Sequence, residues 1–254
     1  MLRKTSLILA GALLLSLTLG PASAATLRNG KIKNFREARK IAAKIHTEHP
    51  FTIYCGCRFE GKEVNLESCG YKARGRKNTV SRLNWEHVVP AENFGRSFVE
   101  WREGSPECRR KGRKYKGRRC AEKNPEFNRM EADLFNLWPE ISELNRLRSN
   151  FNMADLGGAG AHPASKSFGG CQAVLSERKF EPMDRAKGIV ARTYMYMNQA
   201  YPGHGIISDK NEKLFEAWDK KFPVTEWECR RAKKIRAVQG NENTILQDRC
   251  AKID

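Results

Sequence analysis

Three residues have the types that hydrolytic chemistry uses. Glu86 and His87 are adjacent in RLNWEHVVPAENFG (82–95), and Asn136 stands in MEADLFNLWPEISELNRLRSNFN (130–152). A carboxylate can hold a cation or move a proton, and an imidazole titrating near about 6.5 can accept one at neutral pH. Neighbours in a regular strand point to opposite faces, so both reach one substrate only where the strand ends or bends. Pro90 supplies that bend. Asn136 falls just ahead of Pro139, which suits the first turn of a helix continuing through Ile141, Leu144 and Leu147. There its amide either caps the helix or offers a neutral oxygen to a hard cation.

Patterning predicts the elements that must position these groups. Phe35, Ala38, Ile41, Ala42 and Ile45 recur at helical spacing opposite Arg36, Arg39, Lys40 and Lys44. Phe51 to Phe59 alternates with a period of two and reads as a strand, and a second extended stretch covers Thr79 to Val89. Ile189–Met197, Leu214–Trp218 and Trp227–Val238 each carry an apolar stripe. Thr225 with Glu228 makes a capping-box start for the last of them, and Gly240 a stop. With no internal repeat and no long linker, this is a mostly helical, single-domain α+β fold.

The composition narrows the partners. The 254 residues hold 47 Lys plus Arg against 29 Asp plus Glu, a net charge of +18, with 40% hydrophobic residues and eight cysteines. That excludes a disordered, collagen-like or coiled-coil chain. Arg3 and Lys4, the apolar run Leu7–Leu19 and the small residues Ala22-Ser23-Ala24 read as a secretory signal peptide over 1–24, too short in its apolar run for a membrane anchor. Removing those two positive charges leaves +16 on a domain of residues 25–254.

All eight cysteines (Cys55, Cys57, Cys69, Cys108, Cys120, Cys171, Cys229, Cys250) fall in that exported part, and no Cys-x-x-Cys pair suggests a zinc site. An even count in an oxidising compartment reads as four disulfides, the most local pairing Cys108 with Cys120. Between those two, eight of eleven residues are Lys or Arg. Lys72, Arg74, Arg76, Lys77 and Arg82 form a second cluster, and Arg230, Arg231, Lys233, Lys234 and Arg236 a third. Such crowding favours a polyanionic partner, nucleic acid first, over a merely solvated face.

WEHVVPAENFG (85–95), CAEKNPEFNRMEADLFNLWP (120–139) and NRLRSNF (145–151) resemble the bacterial endonuclease I family of exported nonspecific nucleases. YCGC (54–57), SCGY (68–71), ARTYMYM (191–197) and FPVTEWEC (222–229) extend the likeness over nearly the whole mature chain. The resemblance implies a ββα-metal motif holding one divalent cation, most simply Mg²⁺. It implies His87 as general base, Glu86 and Asn136 as metal ligands, and Glu122 as an acidic neighbour. It also implies a phosphate-binding arginine, for which Arg102, Arg109, Arg113, Arg118 and Arg119 compete, with Lys114 and Lys116 beside them. The expected protein is a periplasmic or secreted monomer cutting single- and double-stranded DNA, and RNA too, to 5′-phosphate ends.

The main rival is a noncatalytic basic module that holds nucleic acid or lipopolysaccharide; it explains the charge and bridges but not the Glu86, His87 and Asn136 settings. A metal-independent ribonuclease would need paired histidines, and His46, His49, His162 and His204 form no such setting in sequence. No Gly-x-Ser-x-Gly turn is present, and Gly157-Gly158-Ala159-Gly160 lacks the Lys-Ser/Thr ending of a phosphate loop.

Overall fold

The computed structural model describes residues 27–75, 77–158 and 168–253; the segment read as a signal peptide, Arg76 and His162 lie outside the described residues. The chain begins with α1 (Phe35–Ile45), capped by Asn34, whose side chain accepts from Glu37 N at 3.0 Å. Then come β1 (Phe59–Glu60), β2 (Glu63–Val64), α2 (Lys77–Val80), β3 (Leu83–His87), α3 (Ala91–Gly95) and α4 (Val99–Arg102). A basic hairpin of β4 (Arg109–Arg110) and β5 (Arg113–Lys114) leads to α5 (Arg118–Ala121) and α6 (Pro125–Glu131). Next are β6 (Leu137–Ile141), α7 (Ser142–Arg148), β7 (Asn152–Met153), β8 (Val174–Ser176) and β9 (Lys179–Glu181). Four helices complete the fold: α8 (Asp184–Ala200), α9 (Asp209–Lys221), α10 (Glu226–Gln239) and α11 (Thr244–Cys250).

The α+β reading holds. β3 and β6 pair antiparallel, with His87 opposite Leu137, Trp85 opposite Pro139 and Leu83 opposite Ile141. α7 follows β6 directly and packs back on both strands, so these three elements form a ββα unit. The helix expected from Pro139 therefore starts only at Ser142. Proline is tolerated in this strand because its C=O side faces away from β3 and accepts Ile53 N at 2.9 Å; the missing N–H lies on that side too.

Two other expectations change. Phe51–Phe59 is not a continuous strand: Phe51 and Arg58 form one bridge, and between them the chain turns back, Gly56 N donating to Thr52 O at 3.0 Å. Gly56 has φ +69°, and the flanking cysteines leave for different partners, Cys55 to Cys171 and Cys57 to Cys69. Thr79–Val89 divides into the helical turn α2 and strand β3. The expected Cys108–Cys120 bridge is present, and Cys229–Cys250 ties α10 to α11.

Asp133 joins the helical half to the ββα unit. It is fully buried just before β6 and accepts from Tyr196 and Tyr201 hydroxyls at 2.7 Å, Gln239 Nε2 at 3.0 Å and Phe135 N at 3.0 Å. Four donors replace the water it gives up. The Thr225–Glu228 capping box opens α10 and Gly240 ends it in left-handed conformation, as the sequence predicts.

α8 approaches the end of α9 so closely that a Cβ on Gly188 would lie 2.3 Å from Phe222 O and 2.8 Å from the Arg192 guanidinium. Gly188→Ala should therefore lower stability by about 1–3 kcal/mol despite alanine's better helix propensity. A thermal midpoint equal to or above wild type would show that this contact has slack.

Candidate active site

The end of β3, the start of α1, α5 and the end of α7 enclose a cavity of about 290 Å³. Its lining includes Phe35, Glu86, His87, Trp101, Arg118, Asn145, Arg148 and Asn150. Glu86 and His87 reach one cavity because the chain bends directly after them. Asn136 makes the bend: its Oδ1 accepts from Val89 N at 2.7 Å and its Nδ2 donates to Val89 O at 3.0 Å.

Each oxygen of Glu86 has a different setting. Oε1 accepts from Tyr54 OH at 2.7 Å and meets Arg148 Nη1 at 3.0 Å, which leaves Oε2 for the cavity. Burial raises the Glu86 pKa, against the pull of the Arg148 charge and the Tyr54 hydrogen bond. Arg148 is itself fully buried; it also donates to His87 O at 3.0 Å and Val88 O at 2.6 Å.

His87 is 8% exposed and its Nε2 lies 2.8 Å from Glu131 O. A carbonyl only accepts, so Nε2 carries the hydrogen and Nδ1 the lone pair. Burial, reinforced by the Arg118 and Arg148 charges and only partly opposed by the Glu131 carbonyl, lowers its pKa to about 3. The ring stays neutral across the physiological range. Phe35 packs on it with centroids 4.8 Å apart, and the Arg118 guanidinium lies over Phe35 at 5.2 Å.

Of the cations competing for a phosphate, Arg118 alone lines the cavity. It ion-pairs with the buried Glu131 carboxylate and lies 3.9 Å from exposed Glu122. Arg102 turns away and donates to Arg96 O and Ser97 O at 2.7 Å each. Arg109, Arg113 and Lys114 are exposed on the β4–β5 hairpin, with Lys116 and Arg119 exposed beyond it.

The structure thus brings Glu86, His87 and Arg118 into one cavity lining, which includes neither Asn136 nor Glu122, although Glu122 stays within 3.9 Å of Arg118. Asn136 is fully buried with its amide spent on Val89, and does not line the cavity. Its position before Pro139 suggested a cap or ligand; it is a clamp. Glu122 lies outside the lining, and the acid beside the imidazole and arginine is Glu131. Arg148, Asn145 and Asn150 were missed, although all belong to NRLRSNF. The signal there is an Arg and two Asn at the close of a short helix, which spacing alone does not distinguish from a solvated face. Among the described residues no three His, Cys, Asp or Glu side chains cluster as a metal site.

A neutral imidazole, a carboxylate with one oxygen free, an arginine and a surround of exposed lysines and arginines suit hydrolysis of a polyanionic ester. The chain belongs to the Endonuclease I family, whose model matches residues 18–250. It is 43% identical over 227 residues to an Endonuclease-1 of Buchnera aphidicola subsp. Acyrthosiphon pisum, covering 87% of this chain and 83% of that one. It is 38% identical over 245 residues to an extracellular deoxyribonuclease of Aeromonas hydrophila, covering 93% of this chain and 98% of the relative. A periplasmic deoxyribonuclease of the same organism is 36% identical over 245 residues, at 93% and 95% coverage. No helix among the described residues is long and apolar enough to cross a membrane.

Removing Arg148 strands a buried carboxylate. Arg148→Ala should cost about 3–5 kcal/mol in urea unfolding and raise the Glu86 pKa further. A loss under about 1 kcal/mol would mean that Glu86 is already neutral in the folded protein.

Proposed function

We propose that this protein is an exported, monomeric, nonspecific endonuclease that hydrolyses DNA, single- and double-stranded, and RNA, by attack of water on phosphorus. The observation that carries the reading is the fixed tautomer of His87. With Nε2 committed to Glu131 O, Nδ1 is the free acceptor of a neutral ring that lines the cavity. Nδ1 takes a proton from the attacking water. The new P–O bond forms as the bond to the 3′ oxygen breaks, and that oxygen takes a proton from solvent water, which leaves a 5′-phosphate and a 3′-hydroxyl. Arg118, aimed by Glu131, neutralises charge that grows on the phosphoryl oxygens.

The donor set fits a divalent cation. Glu86 Oε2 and the amide oxygens of Asn145 or Asn150 are hard ligands on one cavity wall, and few protein ligands with several waters is the habit of Mg²⁺. Asn136, bonded to Val89 N and O, does not line this cavity. When bound, such an ion supplies Lewis-acid stabilisation of a phosphate oxygen and the leaving oxygen. Glu131, in place of Glu122, acts through the arginine and the imidazole that it holds.

Nothing in this chemistry uses a 2′-hydroxyl, and contacts led by phosphate carry no base sequence. The exposed hairpin cations Arg109, Arg113 and Lys114, with Lys116 and Arg119, supply that grip near the cavity. Export rests on the residue pattern of 1–24, the four bridges and the likeness to extracellular and periplasmic deoxyribonucleases.

His87→Ala should reduce plasmid cleavage by about 10³-fold or more while circular dichroism and DNA affinity stay close to wild type. Wild-type cleavage should stop in EDTA; cutting that persists in EDTA removes the metal from the mechanism. Because the imidazole is a free base well below its usual range, the acid limb of kcat/KM should lie beneath pH about 6.5. A limb centred at or above that value would assign the base to another group.

A further inference from the structure

A second groove, of about 580 Å³, adjoins the cavity and shares Asn84 and Trp85 with it. One wall is the outer face of α1, with Arg36, Arg39 and Lys40; the other is the β1–β2 turn with Lys62. Arg82 flanks the Trp85 floor, and Glu63 is the one acid in the lining. All five cations are exposed. Their number is not required by the fold, since α1 buries only Ala38, Ala42 and Ile45.

α1 also connects groove and cavity physically. Its first residue, Phe35, packs on His87 and carries the Arg39 guanidinium at 4.9 Å from its ring centroid. Trp85 is half-buried and held edge-on by His46 at 5.7 Å, so its indole is fixed where groove and cavity meet. A row of cations beside a fixed aromatic ring is how sequence-independent single-strand sites are built: the cations track phosphates and the ring stacks an unpaired base. A duplex would satisfy the cations but not use the ring.

We propose that this groove, between α1 and the β1–β2 turn, is a binding track for the unpaired nucleotides that flank the scissile phosphate, with Trp85 as a stacking platform. It lies apart from the β4–β5 hairpin and rests on the nuclease reading only for the place of the scissile phosphate.

Equilibrium binding of a fluorescent oligothymidylate of about 20 nucleotides in EDTA tests it independently of catalysis. The triple variant R36S/K40S/K62S should bind about tenfold more weakly near physiological salt, and the slope of log affinity against log salt should fall by about 2. Trp85→Ala should weaken binding of the oligomer by about fivefold or more, Trp85→Phe should restore most of it, and a duplex of equal length should not respond to either. An unchanged salt slope in the triple variant overturns the track. Equal losses on oligomer and duplex overturn its assignment to unpaired strands. Wild-type protein that binds the oligomer through these residues yet cleaves no nucleic acid with Mg²⁺ would instead refute the nuclease reading and leave the track standing.

Discussion

The active centre depends on one buried cation. Arg148 enters from the end of α7 and, with no exposure to solvent, meets Glu86 Oε1, His87 O and Val88 O at the end of β3. A guanidinium in that position must satisfy its donors internally, and a strand that terminates there offers free carbonyls as well as a carboxylate. The strand end and the helix end therefore fix each other. That is why two neighbouring residues, which a regular strand would send to opposite faces, both line one cavity. The ion pair also divides the carboxylate, so that one oxygen is held and the other is left for chemistry.

A second separation is electrostatic. Inside the cavity, charges are paired or suppressed: Arg148 with Glu86, Arg118 with Glu131, and an imidazole kept neutral by burial and neighbouring cations. The excess positive charge lies outside, on the hairpin and on α1. Long-range attraction for a polyanion needs exposed charge, whereas a general base needs a ring whose lone pair is free before the attacking water gives up its proton. Placing the two functions on different elements lets both be met. Glu131 links them, because its carboxylate holds the arginine and its carbonyl fixes the tautomer of the base.

Much of this was legible in the residues. The helices α1 and α10 followed from spacing and from the Thr225 capping box, and Cys108–Cys120 from proximity in sequence. Glu86 and His87 were legible as a pair, but their convergence depends on Arg148, some sixty residues later, and no local pattern announces a buried arginine. β6 was hidden because Pro139 is as natural in the first turn of a helix as on a strand side that carries no ladder hydrogen bond; register with β3 decides between them. Asn136 is ambiguous in sequence for a related reason. A short amide before an apolar run caps, coordinates or clamps according to what folds against it, and here the chain of Val89 arrives first.

The bridges complete the argument about rigidity. Tyr54 donates its hydroxyl to Glu86 and its backbone N–H to Glu140 at 2.7 Å, and it stands beside Cys55, which is joined to Cys171 across 116 residues of sequence. Cys57, two residues on, closes the loop to Cys69. The turn buries Ile53 and Tyr54 in the core, Tyr54 edge-on to Phe180. Cross-links that shrink the unfolded ensemble add restraint without adding any group that competes for the cavity. The Glu86 carboxylate is thus oriented from two sides, by Arg148 from within the ββα unit and by a disulfide-pinned tyrosine from outside it. Tyr54 remains protonated because burial, with the nearby Glu86 charge, raises its pKa despite Arg148. Its role is that of a fixed hydrogen-bond donor rather than a proton source, which leaves proton exchange with water at the end of β3 to His87 and the free oxygen of Glu86.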